Sequence, residues 1–449
     1  MGSLSIWSII AVIIILGVLV TIHELGHYWT ARLLRIKAYE VSIFVGPKLL
    51  HWRHKDCDFS IRCIPFGAYV RFTDIDEKGN VVESDDPGLL INQPRWKRLL
   101  VALAGPFMNI VLGVLILTVL YTCTPFNSLD VAGAQDGSQF AAVQVERGDT
   151  VVAVNGNPVF TYIDYYYEVD TASRDTDPVT LTVKSASTGE KYDVVLTPQL
   201  DERPMIGISA SDDTSNKYSG WEIFDVNESQ NNGNPVLKVG DYLTKVNGKS
   251  VADSDFRDFL GQQTEGDTLK LEFVRNGVPM EADCAYTTMV YSNPRGVVFF
   301  SYEVADLTGF FKAFSYAARM PVSIVNVSVK AIGDVFEGRE KVYNMVSGPV
   351  GVTTVVSDVV DDVDDSVGEK IYFLTMLSSI ISIGLAFTNL LPIPGLDGVQ
   401  IILIIVEMVM GRPLSKRAEG VLNAIGFVLL LALVVFAFAS DIIRIIVGR

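Results

Sequence analysis

Only four cysteines and four histidines occur in the 449 residues, and charged side chains make up just 20% of them. So few cysteines in a chain of this length exclude a disulfide scaffold. Basic residues are outnumbered 36 to 52, a formal net charge of −16, so the footprint of a nucleic-acid binder is missing. Charge is absent altogether from residues 1–22, 99–129, 371–396 and 420–440. A bilayer core takes about 20 apolar residues per helix, so each stretch is long enough to span one. With 49% hydrophobic residues and a mean hydropathy of +0.32, an ordinary soluble enzyme is excluded, as is a disordered or fibrous chain. The expectation is a polytopic α-helical membrane protein with four transmembrane helices.

The charge that remains is unevenly placed. Residues 123–370 hold 19 basic and 38 acidic side chains. Arg32, Arg35 and Lys37 follow the first apolar stretch, Arg95, Lys97 and Arg98 precede the second, and Arg412, Lys416 and Arg417 separate the last two. The approach to the third is acidic, with Asp358, Asp361, Asp362, Asp364, Asp365 and Glu369. Basic loops stay in the cytoplasm, which predicts that both termini and the large central region lie outside a cell membrane. The first stretch lacks a basic leader and a small-residue cleavage site, and reads as a retained anchor.

The central region repeats itself. Gly148-Asp149-x4-Val154-Asn155-Gly156 recurs 92 residues later as Gly240-Asp241-x4-Val246-Asn247-Gly248, each copy a short strand between two turns and each followed by strand-like alternation. Residues 132–286 resemble a tandem pair of PDZ domains, which bind extended peptides by strand addition. That resemblance implies two extracytoplasmic PDZ-like α+β domains, at 124–215 and 216–304, that bind a peptide or a substrate ectodomain or gate access to the membrane. Residues 305–370, with Phe310, Phe311, Phe314, Tyr316 and Ile324 among Lys312, Arg319 and Lys330, read as an amphipathic interfacial region. Membrane parts occupy 1–123 and 371–449.

Chemistry enters at the end of the first span. In His23-Glu24-Leu25-Gly26-His27 the i,i+4 spacing puts two imidazoles on one helical face, able to share a zinc ion with Glu24 beside it as general base. Ionisable residues on a spanning helix are costly and mark function. Of the other histidines, His51 and His54 could form a separate zinc knuckle with Cys57 and Cys63, at irregular spacing. The alternative third ligand is Asp397, at the cytoplasmic end of the third span in Asn389-x2-Pro392-x-Pro394-Gly395-Leu396-Asp397-Gly398, where the prolines break the helix and the glycines permit a close turn.

These motifs together resemble the site-2 protease family of intramembrane zinc metalloproteases, in its bacterial form with tandem PDZ domains. Ala104-Gly105-Pro106-Phe107-Met108-Asn109 and Ser347-Gly348-Pro349-Val350-Gly351 add to the likeness, and the matches run in family order over almost the whole chain. Gln400 departs from it, standing where close relatives often carry histidine. The resemblance implies one Zn2+ on His23, His27 and Asp397, with Glu24 activating water. It implies substrate contact at Asn389 and, in the same motif, at Pro392 and Pro394. It also implies that residues 40–72, alternating as strands around Gly46-Pro47, form a hairpin dipping into the membrane, where Ile61 and Ile64 would help hold unwound substrate. The expected activity is endopeptidase cleavage within transmembrane segments of single-span proteins already shortened outside, such as anti-sigma factors or remnant signal peptides. The competing reading is a membrane-anchored PDZ scaffold with a non-catalytic metal site. A zinc transporter is disfavoured because the spans carry no repeated motif.

Overall fold

The computed structural model describes residues 6–73, 85–171, 177–211, 214, 216–227, 230–264, 266–337, 349–361, 366–393, 395–412 and 416–447. Pro394, Ser347, Gly348, Asp362, Asp364 and Asp365 lie outside the described residues. Among the described residues, four helices are long and apolar enough to cross a membrane. They are α1 (Ile6–Leu33), α2 (Arg95–Cys123), α7 (Val367–Leu390), and the stretch Ala424–Asp441 inside α9 (Lys416–Val447). Ile6, Trp7, Ile14 and Val18 of α1 and Val428, Leu431 and Val435 of α9 stand exposed, as lipid-facing side chains do. The start of α7 follows from a capping box: Ser366 accepts from the Glu369 amide while Glu369 accepts from Ser366, contributing about 1 kcal/mol.

The hub of the membrane part is α2, which packs on α1, on α7, on α5 (Leu307–Phe336) and on α8 (Asp397–Met410). Close approach is built in. A Cβ on Gly26 would lie 2.5 Å from the Ala104 carbonyl oxygen, and one on Gly113 would lie 2.6 Å from Ile383. Helix α8 had no counterpart in the sequence reading, which ended the third membrane element at Asp397.

The hairpin of β1 (Glu40–His54) and β2 (Cys57–Arg71) lies along α1, with the Phe44 ring at Gly17. Residues 40–43 sit between 68–71 on one side and 58–61 on the other, and 50–54 pair with 57–61. Glu40, buried at its centre, receives Arg62 at 2.8 Å, Lys48 at 3.1 Å and Arg71 at 3.5 Å. Burial alone would raise its carboxyl, but hydrogen bonds and charge from Arg62 and Lys48 outweigh that and hold it at about 2.

The central region folds as two sheets of one design. Strands 208–211, 221–226, 242–246, 268–275 and 278–285 follow one another across one sheet, and strands 297–302, 126–134, 150–154, 179–184 and 191–196 do so across the other. The repeat explains the likeness. In each copy the Gly-Asp pair ties its turn to the neighbouring strand, the amides of Gly148 and Gly240 donating to Val131 and Ile223 at 2.8 Å. Asn155-Gly156 and Asn247-Gly248 take left-handed backbone (φ 47° and 81°, 50° and 82°), the turn that joins tight hairpins. The asparagine side chains accept from the Thr180 and Lys270 amides across the sheet.

The boundaries differ from the linear division. Val297–Tyr302, placed by sequence in the second unit, pairs with Phe126–Ala134 and completes the first sheet. Leu200–Met205 and Thr287–Ser292 pair as a two-stranded ribbon leading out and back. The second sheet is therefore an insertion in the first. Helix α3 (Tyr162–Thr171) of the first unit docks on α5 through Asp164, which accepts from the Ser323 hydroxyl at 2.5 Å, and through an ion pair between Glu168 and Lys330. Buried Ala313, Tyr316, Ala317 and Met320 form the packed stripe of α5, while Phe311 stays 60% exposed.

Candidate metal centre

Three segments far apart in sequence meet between α1, α2 and α8. His23 Nε2 lies 3.0 Å from Asp397 Oδ2, His27 Nε2 lies 3.4 Å from the same oxygen, and the two Nε2 atoms are 3.3 Å apart. This is the one such cluster of histidine, cysteine and carboxylate groups among the described residues. The alternative knuckle is not assembled: His51 and His54 are exposed on β1, Cys63 is exposed, and Cys57 is buried in an apolar cluster with Tyr28 and Val41.

The donor atoms fit a metal ion. His27 Nδ1 lies 2.7 Å from the carbonyl oxygen of Val101, so this nitrogen carries the proton and Nε2 presents a lone pair. That lone pair faces a carboxylate oxygen and a second imidazole nitrogen, and a proton or a metal cation shared among them relieves the repulsion. Zinc bonds of about 2.0–2.1 Å in tetrahedral geometry keep donor atoms roughly 3.3 Å apart, the spacing seen here. Space is available as well. A Cβ built on Gly105 would fall 2.3 Å from His27 Nε2 and 2.7 Å from His23 Nε2, so the missing side chain leaves open the place next to both nitrogens. Gly105 stands in an apolar helix beside Pro106, and only the tertiary arrangement reveals what its bare Cα is for.

Glu24 follows His23 on α1, and its Oε2 accepts from the Val70 amide at 3.0 Å. That hydrogen bond ties the carboxylate to strand residues 68–71, whose other side pairs with 40–43. Ile61 and Ile64 fall elsewhere. Ile61 pairs with Ile43 on one side and Leu50 on the other, and Ile64 pairs with Val45. The edge that reaches Glu24 is therefore 68–71. The chain folds back so that residues 59–61 are paired on both sides, whereas Ile64 is paired on one side only.

Asn389 at the end of α7 comes within 3.5 Å of His23 Nδ1. A His23 that offers Nε2 to a cation keeps its proton on Nδ1, and a flipped Asn389 amide turns its oxygen toward that proton. Pro392 is exposed in the turn between α7 and α8. On the site face of α2, one turn beyond Gly105, Asn109 is fully buried, and among the described residues neither of its side-chain polar atoms has a hydrogen-bond partner.

A family model described as peptidase family M50 matches residues 11–433. The chain belongs to this family, the site-2 proteases. This M50 peptidase is 26% identical over 465 residues to the regulator of sigma-E protease RseP of Escherichia coli, covering 98% of this chain and 99% of that protein. It is 23% identical to the regulator of sigma E protease of Haemophilus influenzae over 98% and 99% of the two chains. A Neisseria meningitidis protein whose name assigns it provisionally to the zinc metalloproteases is 26% identical, again over 98% of this chain and 99% of that one. Membership makes the M50 peptidase a zinc-dependent protease, and its four apolar helices suit a membrane protein.

Proposed function

We propose that the chain is an intramembrane endopeptidase that hydrolyses peptide bonds within the transmembrane segments of single-span proteins. The observation that carries this reading is the meeting of His23, His27 and Asp397 between apolar helices, with Glu24 next to them. His23, His27 and Asp397 would hold a zinc ion, which would supply Lewis acidity toward the scissile carbonyl and the attacking water. Glu24 takes the proton from that water at Oε1, its other oxygen being held by the Val70 amide, and returns it to the leaving amine. Val101 keeps His27 in the tautomer that leaves Nε2 free.

A helical peptide bond is shielded by its own hydrogen bonds, so the substrate must be held extended. Strand 68–71 offers an edge beside Glu24 for an unwound stretch, satisfying backbone groups that lipid would leave bare. The orientation follows the positive charge: Arg32, Arg35, Arg95 and Lys97 gather at one end of the spans, where Lys97 approaches the Leu34 carbonyl at 3.4 Å. That end is cytoplasmic, and both sheet units, PDZ-like in their repeat, lie outside the cytoplasmic membrane, where they receive a peptide or a substrate ectodomain. In detergent micelles the purified protein is expected to cut a single-span substrate inside its apolar segment. A chelator should stop the reaction and added zinc should restore it, with the cut site read by mass spectrometry. Cleavage confined to the soluble flanks would refute the intramembrane reading.

A further inference from the structure

Helix α2 makes polar contacts with both halves of the candidate centre within two turns. Val101 anchors His27 of α1 through its carbonyl oxygen, and Gly105 makes room beside both imidazoles. One turn before Val101, Arg98 Nη1 donates to Glu407 Oε2 at 2.8 Å, and Arg95 Nη2 donates to the Gly411 carbonyl at 2.8 Å. Glu407 is only 2% exposed. The Arg98–Glu407 and Arg95–Gly411 contacts bring the far end of α8 onto α2, while Asp397 occupies the first turn of the same helix. The near end is fixed by a turn so tight that a Cβ on Gly398 would lie 2.2 Å from the Leu391 carbonyl oxygen.

A carboxylate ligand is useful only if its helix cannot slide. A shift of one turn along α2 would carry Asp397 about 5.4 Å, well out of coordination range. The turn at 391–398 ties only the first turn of α8 to the end of α7, and the remainder of the helix needs its own anchor on α2. Glu407 is the one charged side chain in the run 398–411, and it meets an arginine of the helix that also orients His27. Arginine suits the task, since its planar fork fixes direction as well as distance.

We propose that Arg98 and Glu407 form a positioning pair that sets the register of α8 on α2 and thereby holds Asp397 in coordination range of His23 and His27. The inference rests on Asp397 being a metal ligand. It assigns a role to two residues that touch neither metal nor substrate.

The test is zinc retention by the purified full-length protein against a graded chelator, read by metal analysis. Arg98→Gln and Glu407→Gln should each release zinc at about tenfold lower chelator concentration than the wild type, an effect typical of outer-sphere partners. Arg98→Lys should fall between. The charge swap, Arg98→Glu with Glu407→Arg, should recover most of the loss. Glu168→Gln breaks the buried pair with Lys330 away from the centre and should leave retention unchanged. Wild-type retention in both single variants would overturn the proposal. So would a swap no better than the single variants, or an equal loss in Glu168→Gln, because either would reduce the effect to general destabilisation. Asp397→Asn separates the two levels: if it keeps zinc as the wild type does, the ligand assignment fails and the positioning role falls with it.

Discussion

Glu24→Gln is expected to bind zinc at wild-type stoichiometry and to cleave a model transmembrane substrate at least about 100-fold more slowly, the lower range of what a positioned general base contributes. The substitution keeps the shape of the side chain. The glutamine carbonyl oxygen can still accept from the Val70 amide, so α1 and strand 68–71 stay joined. His23, His27 and Asp397 are untouched, and their mutual distances do not depend on Glu24. What disappears is the capacity to take a proton and give it back. Metal analysis alongside single-turnover cleavage separates the two effects. Zinc loss equal to the loss of rate would make Glu24 a structural residue. Undiminished cleavage would remove it from the chemistry.

Gly105→Ala is expected to act in the opposite way, abolishing zinc binding while leaving the helix intact or firmer. Alanine is favoured over glycine inside a helix by about 1 kcal/mol, so local stability should rise. The new methyl, however, would fall 2.3 Å from His27 Nε2, 2.6 Å from His27 Cε1 and 2.7 Å from His23 Nε2. Those contacts are too short to persist, and the rings are held from behind by the Val101 carbonyl and by α1 itself. Relief means pushing the imidazoles out of the space they share with a cation. Zinc content below about a tenth of wild type, with helix content by circular dichroism unchanged, is the expected pair of results. Full zinc occupancy in this variant would mean that the cation sits elsewhere.

How much of this was legible in the amino-acid sequence depended on whether the signal was local. The spacing of His23 and His27 carries its meaning within one helical turn, and the Gly-Asp and Asn-Gly pairs carry theirs within one hairpin. Asp397 became a candidate through its place at the end of the third apolar stretch, where prolines and glycines mark a broken helix, and the resemblance of its motif added to that. Non-local features were beyond reach. Strand Val297–Tyr302 returns to a sheet begun some 160 residues earlier, and nothing in its alternating pattern names that partner. Alternation marked 59–64 as a strand without saying which of its sides are taken, and the structure pairs 59–61 on both. Helix α8 hid in an apolar run that reads equally as span or packed helix. Val101 acts through a backbone carbonyl, which any residue would supply, so no side-chain signal could have found it.

The central claim is that a single cation is gripped by residues from both ends of the chain. X-ray absorption at the zinc edge, on the purified wild-type protein and its Asp397→Ala variant, tests it most directly. The wild type should show two imidazole nitrogens and oxygen donors at about 2.0–2.2 Å, and the variant should lose zinc or show a changed oxygen shell. A spectrum dominated by sulfur, or one that Asp397→Ala leaves unaltered, would contradict the account.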